Sequence, residues 1–184
     1  QCLKMAGLID NTNLSQKISN YKLLAVEGEP KHYEWTVEHF QKQNIKNAHV
    51  VHAAVSNKDG EIGFAVGDSS NWYGQSIGGT YKVKCYRLKT LMKNYDINYI
   101  DFLHMDIQGE ELKVLEDSYT LLKQINFLYI GTHSAVLHDT ILRLLINAGT
   151  HEIIASLPPF AATNFSDFGK VDCGDGVIFC KHKK

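Results

Sequence analysis

The chain has 184 residues, 44% apolar and 21% charged, with a formal net charge of −1. That length and balance describe one soluble globular domain, covering residues 1–184, with enough chain to bury a proper core. The near-zero charge supplies no basic stripe for nucleic acid or an anionic membrane surface, and no apolar run is long enough to span a bilayer.

The chain opens at Gln1, and Gln1–Leu8 reads as the tail of a helix, as a piece of a longer protein would. Tyr21–Val26 is an apolar strand ending in Glu27-Gly-Glu-Pro30. Proline is favoured at the first helical position, where its missing N–H would have no partner anyway. Tyr33, Val37 and Phe40 then share one helical face, with Asn44 as the stop. Ala48–Val55 is a second strand, followed by the Asn57-Lys-Asp-Gly60 turn and an extended Glu61–Val66 segment.

Gly67–Gly79 is a long polar loop that nevertheless contains Trp72-Tyr73-Gly74-Gln75. Loops of that length in compact domains are often functional lids, although the aromatic pair would also serve simply to pin the loop down. Tyr81–Tyr86 alternates as a strand does, and Leu88–Lys93 reads as a short helix. Tyr99–Met105 and Phe127–Ile130 are largely apolar runs that end in polar clusters, Asp106-Ile-Gln108-Gly109-Glu110-Glu111 and Thr132-His133-Ser134. Leu112, Leu115, Tyr119 and Leu122 mark a helix face after the first run. Ile141, Leu144, Leu145 and Ala148 mark another after the second, closed by Gly149. His151–Ser156 and Gly176–Cys180 supply two last strands.

Strand and helix alternate almost throughout, which predicts right-handed crossovers and a mainly parallel sheet. Ligands in such sheets sit beyond the carboxyl ends of the strands, so Asp106, Gln108, Thr132 and His133 are the candidate site residues. Asp106 is equally readable as a helix N-cap with Glu110 and Glu111 in the first turn, but Gly109 favours a site because it allows close backbone approach. Glu27, at a strand tip, is placed to accept hydrogen bonds from ribose hydroxyls, while Glu29 suits a helix cap. His133 has the ordinary basicity of a general base. His104, Asp106 and His133 also compose a weak metal set, since a histidine in an apolar strand is more often a core residue; no metal site is expected. The four cysteines, Cys2, Cys85, Cys173 and Cys180, lack metal or disulfide spacing, which predicts free, mostly buried thiols and a cytoplasmic protein.

In this order, Leu24-Ala-Val-Glu-Gly-Glu-Pro30, Ala53-Ala-Val-Ser-Asn-Lys-Asp-Gly-Glu61 and Ile100-Asp-Phe-Leu-His-Met-Asp-Ile-Gln-Gly-Glu-Glu111 resemble motifs of the FkbM-type S-adenosylmethionine-dependent methyltransferases. His104 and Gln108 stand where the commonest form has Lys and Glu, and together with Trp72-Tyr-Gly-Gln75 and Ile130-Gly-Thr-His-Ser134 they mark a distinct subgroup. The resemblance implies a Rossmann-like α/β fold, mostly parallel with an antiparallel C-terminal strand, and S-adenosyl-L-methionine as cofactor. It also implies that Glu27 holds the cofactor ribose, that Ala54, Val55 and Ser56 lie beside the adenine, and that Asp106 faces the methyl group. Gln108, Thr132, His133 and Trp72, Tyr73 and Gln75 would then shape the pocket of a small-molecule or glycan acceptor, with Asp106 or His133 taking the proton of a hydroxyl being methylated.

The family's first strand and glycine-rich turn should precede Gln1–Leu8, yet Gly7 stands alone before Tyr21. Their loss would leave two inner strand edges unpaired, inviting instability or association as a homo-oligomer. Two resolutions are open: a truncated chain, which is favoured and predicts poor cofactor binding, or direct pairing of the second and fourth strands. A non-catalytic Rossmann-like binding domain and a metal-dependent hydrolase using His104, Asp106 and His133 are the alternative functions.

Overall fold

The computed structural model describes residues 21–66, 76–165, 169–172 and 174–183. Among the described residues, the elements in order are β1 (Leu23–Glu27), helix α1 (Pro30–Lys42), β2 (Ala48–His52), β3 (Ala54–Val55) and β4 (Gly60–Phe64). Then come β5 (Tyr81–Tyr86), α2 (Leu88–Asn94), β6 (Ile100–Met105), α3 (Glu111–Asp117) and a 3-10 turn over Tyr119–Gln124. The remainder is β7 (Ile125–Thr132), α4 (Ala135–Ala148), β8 (His151–Leu157), β9 (Ala162–Phe165), β10 (Gly169–Asp172) and β11 (Gly176–His182).

The largest sheet has the order β6-β7-β11-β8. β6 and β7 run parallel, with Met105 opposite Ile130, and β11 is antiparallel to both β7 and β8. The sheet is thus mixed rather than mainly parallel as the strand–helix alternation predicts, because the last strands follow one another without a crossover helix among the described residues. Leu122, Ile125, Leu128, Ile130, Ile141, Leu145, Ile178 and Cys180 are all 0% exposed beneath it. Full burial of aliphatic side chains of this size is the main source of stability in a domain. α4 closes over this core with Ile141 and Leu145 buried, capped at Ser134 and ended by Gly149 at φ +67. Glycine suits that left-handed closing position because it has no Cβ to collide with the preceding turn.

The N-terminal half is arranged differently. β1 pairs in parallel with β2 over Leu23–Glu27, and β3 pairs with β5, which in turn carries β4. The stretch expected to form one strand over Ala48–Val55 therefore divides at Ala53, whose N–H donates to Glu27 O at 3.0 Å. α1 begins at Pro30 behind the N-cap Glu29, and it buries none of its residues. Direct pairing of the second and fourth strands, here β1 and β6, the less favoured of the two resolutions, is absent among the described residues. Tyr99, Phe102 and Leu23 are accordingly exposed along those two strands and their approach.

The helix expected to carry Leu112, Leu115, Tyr119 and Leu122 on one face breaks at Ser118 into a 3-10 turn. Its tighter pitch swings Tyr119 to 45% exposure while Leu122 still reaches the core. Cys85 and Cys180 are free and buried, as expected of the described thiols, and burial pushes the Cys180 thiol up to about 12. Cys2, Cys173 and the expected helix tail at Gln1–Leu8 lie outside the described residues. Among the described residues, no helix is long and apolar enough to cross a membrane.

Candidate active site

Topology brings three strand ends to one edge. Asp106 follows the last residue of β6 and His133 follows the last residue of β7, so two neighbouring parallel strands deliver both side chains to the same side of the sheet. β11 runs the opposite way, with Gly176 opposite Thr132, and its start brings Asp175 to the same place. His133 Nε2 stands 3.0 Å from Asp106 Oδ1 and 3.4 Å from Glu111 Oε1, while its Nδ1 stands 3.2 Å from Asp175 Oδ1.

Glu111 anchors the loop between β6 and α3. Its side chain is 0% exposed, and its two oxygens accept the N–H groups of Ile107 and Gly109, each at 2.9 Å. Gln108 at φ +54 and Gly109 at φ +100 turn the backbone so that these donors face inward. A left-handed residue other than glycine is uncommon, and here it serves a tight loop around a buried carboxylate. Two backbone donors offset part of the cost of removing that charge from water. Asp106 is 46% exposed and is not a helix cap; α3 starts five residues later behind Glu110. Gly131 makes room for it, since a Cβ there would lie 3.1 Å from Asp106 Cγ. Gln108 Nε2 reaches Asp106 Oδ1 at 3.4 Å.

Burial by itself pulls the His133 imidazole down. The Asp175 hydrogen bond and the charges of Glu111, Asp106 and Asp175 outweigh it, leaving the group above its ordinary value.

The other expected site residues fall in different surroundings. Thr132 is fully buried, and its hydroxyl is paired with His138 Nδ1 at 2.9 Å, with His138 Nε2 continuing to Ser156 Oγ at 2.8 Å. Its side chain therefore belongs to the core rather than to the open cluster. Glu27 Oε1 accepts the Glu29 N–H at 2.8 Å, and Glu29 caps α1 by accepting from His32 N. Ala54 and Ser56 are buried, with the Ser56 hydroxyl donating to Glu110 Oε2 at 2.5 Å; Val55 is half-buried. Trp72, Tyr73 and Gln75 lie outside the described residues. The two ends of their loop are held together, by Ala65 N donating to Ser76 O at 2.8 Å and Gly78 N to Gly63 O at 2.8 Å.

The metal set built on His104 is corrected. His104 is exposed and lies edge-on to Tyr129, with ring centroids 5.1 Å apart, whereas the cluster consists of Asp106, Glu111 and His133. Phe102, two residues earlier on β6, is exposed as well, so this face of β6 is uncovered among the described residues. Sequence reasoning also missed Asp175, which sits in the Gly174-Asp-Gly176 turn; only the antiparallel course of β11 carries it to His133.

The family model described as the methyltransferase FkbM domain matches residues 10–151. A protein of Jannaschia sp. (strain CCS1) named "Putative methyltransferase" is 35% identical over 79 residues, which is 41% of this chain and 26% of that protein. The chain thus spans about a quarter of that relative's length. Among solved structures, the precorrin-6y C5,15-methyltransferase of Geobacter metallireducens GS-15 superposes with a TM-score of 0.50 at 10% identity, covering 90% of this chain and 69% of that one. The METTL16 MTase domain gives 0.49 at 10% identity, covering 89% of this chain and 51% of that one. The first of these likenesses supports a Rossmann-like methyltransferase fold, and the match over residues 10–151 shows that the chain belongs to the FkbM methyltransferase domain family.

Proposed function

We propose that the chain is the core of an S-adenosyl-L-methionine-dependent methyltransferase that acts on a hydroxyl oxygen of a small-molecule or glycan acceptor. The observation that carries this reading is the convergence of Asp106, Glu111 and His133 at the carboxyl ends of adjacent parallel strands in a chain of this family. In such sheets that edge is where ligands bind.

Methyl transfer from a sulfonium is an in-line displacement, so most of the protein's work is to hold the donor carbon and acceptor oxygen in line and exclude water. In this reading Glu27 binds the cofactor ribose, with Oε1 already accepting from the Glu29 N–H. Ala54, Val55 and Ser56 flank the adenine. The attacking oxygen forms its bond to the methyl carbon as the carbon–sulfur bond breaks, and the hydroxyl proton passes to the Asp106–His133 pair. Gln108, Trp72, Tyr73 and Gln75 shape the acceptor side. Thr132 supports it from below by fixing His138.

Calorimetry with S-adenosyl-L-methionine on the natural full-length product tests the cofactor, and transfer of a labelled methyl group to a panel of hydroxylated small molecules and glycans tests the reaction. Micromolar binding and label in an ether-linked product are expected. Absence of binding at millimolar cofactor would end the reading.

A further inference from the structure

We infer that Asp106, Glu111 and His133 form a binding site for one divalent first-row transition metal ion, with Asp175 orienting the imidazole from behind.

The spacing of the donor atoms is the first reason. Ligands bound at about 2.1 Å from one metal ion lie about 3.0 Å apart when they subtend a right angle and about 3.4 Å apart at the tetrahedral angle. His133 Nε2 lies 3.0 Å from Asp106 Oδ1 and 3.4 Å from Glu111 Oε1, and all three ligand atoms lie within 4.8 Å of one another. The two edges that meet at His133 Nε2 thus have the lengths of a coordination polyhedron.

The second reason is independent of spacing. His133 Nε2 is shut off from solvent and makes no hydrogen bond among the described residues, although two carboxylate oxygens stand close to it. A buried polar atom left without a hydrogen bond is unfavourable. In the neutral imidazole, with Nδ1–H donated to Asp175, Nε2 presents a lone pair toward two anionic oxygens, an arrangement that a cation between them relieves as a proton on Nε2 would. Metal-bound histidines characteristically donate their other ring N–H to a carboxylate, and Asp175 Oδ1 at 3.2 Å from Nδ1 has that position.

The donor set also indicates the class of ion. One imidazole with two carboxylates suits manganese, iron or zinc better than magnesium or calcium, which prefer oxygen donors throughout. Asp106 is half exposed, leaving one side of the site open to water or to an acceptor oxygen. Binding of the ion does not rest on the methyl-transfer reading. Only its role does: with the ion bound, Asp106 Oδ1 and His133 Nε2 serve as ligands, so the ion would hold the acceptor oxygen and make its proton easier to lose, and the free oxygen of Asp106 rather than the imidazole would take it.

The experiment is titration of the chelator-stripped chain with Zn2+, Mn2+ and Mg2+, by calorimetry and by Mn2+ electron paramagnetic resonance, without methyl donor or acceptor. One equivalent of Zn2+ or Mn2+ should bind, more tightly than Mg2+. His133→Ala and Asp106→Asn should each weaken binding at least about tenfold, and Asp175→Asn about tenfold through loss of imidazole orientation. Glu111 also holds the loop, so its replacement is not used. Asp106 is exposed enough for Asp106→Asn to retain the fold, which circular dichroism checks. No binding at millimolar Zn2+ and Mn2+, or binding unchanged by both His133→Ala and Asp106→Asn, would overturn the site. So would Mg2+ binding as tightly as Zn2+, because the imidazole would then contribute nothing. A chain that fails to methylate but binds the ion with this pattern would leave the site standing and remove only its role.

Discussion

The two halves of the molecule use the same strand–helix–strand logic with very different burial. β6, β7 and α4 enclose a core whose aliphatic residues, Leu128, Ile130, Ile141 and Leu145 among them, are 0% exposed. β1, α1 and β2 form the same kind of unit, yet no residue of α1 is buried and β1 and β2 are at most half-buried. The local signals are as good in the poorly buried half: Pro30 at the helix start, a Glu29 cap and a five-residue parallel register. A unit acquires a core from its neighbours, and β7 has a paired strand on each side while β1 pairs only with β2 among the described residues. The candidate site grows from the well-packed half, which suits a constellation that must hold its geometry.

The largest expected effect tests that contrast directly. Leu128→Ala should lower the unfolding free energy by about 3 kcal/mol, measured by urea denaturation, whereas the half-buried Leu24→Ala should cost about 1 kcal/mol or less. Equal losses would show that the halves are equally packed and break the comparison. The two helix caps offer a smaller test. Ser134→Ala removes the acceptor for Leu137 N and should cost about 1 kcal/mol in global stability. Glu29→Ala removes the acceptor for His32 N, but its effect should appear as faster amide exchange in α1 with little change in the urea midpoint, since that half opens locally. A full midpoint shift for Glu29→Ala would mean that α1 unfolds only with the rest.

A third test uses acid. Burial holds His138 and His151 below the ordinary imidazole value, with His182 and Lys183 adding to the effect at His151. Asp139 near His138 and the hydrogen bond from His151 to Ile125 O oppose it without reversing it. Groups that stay neutral when folded but charge when unfolded contribute stability that is complete above about pH 6.5 and lost as pH falls through their lowered folded values. Thermal denaturation between pH 7.5 and 5 should therefore show the C-terminal sheet weakening on acidification, and His151→Gln should flatten the slope. An unchanged slope in both His138→Gln and His151→Gln would remove them as the cause. The smallest change expected is for Gly131→Ala. Its methyl group would press on Asp106 and should weaken Mn2+ binding severalfold, with a stability loss below about 1 kcal/mol.

Much of the architecture was legible because its signals are local. The apolar run before Asp106, the run before His133 and the αL glycine at Gly149 each depend on a few neighbouring residues, and each element formed close to where the pattern put it. The kink at Ala53 and the turn at Ser118 were not legible, because both depend on which strand or core residue lies across from them. The site followed the same division. Asp106 and His133 were readable as strand tips. Glu111, however, looked like an ordinary first-turn acid until the Gln108–Gly109 turn folded two backbone N–H groups onto it, and Asp175 carried no local signal at all.

Local signals thus carried the alternation of elements, the α/β class and the edge of the sheet where polar side chains would gather, but not the mixed strand directions, since β11 and β4 run antiparallel to their neighbours. Those signals are short-range periodicity, capping and turn chemistry, which need no distant partner. Only the tertiary structure decided that Thr132 serves the core, that His104 faces outward, and that Glu111 and Asp175 close around His133. Those outcomes depend on the antiparallel return of β11 and on the packing beneath β7, which bring Asp175 to His133 across 42 positions in the chain.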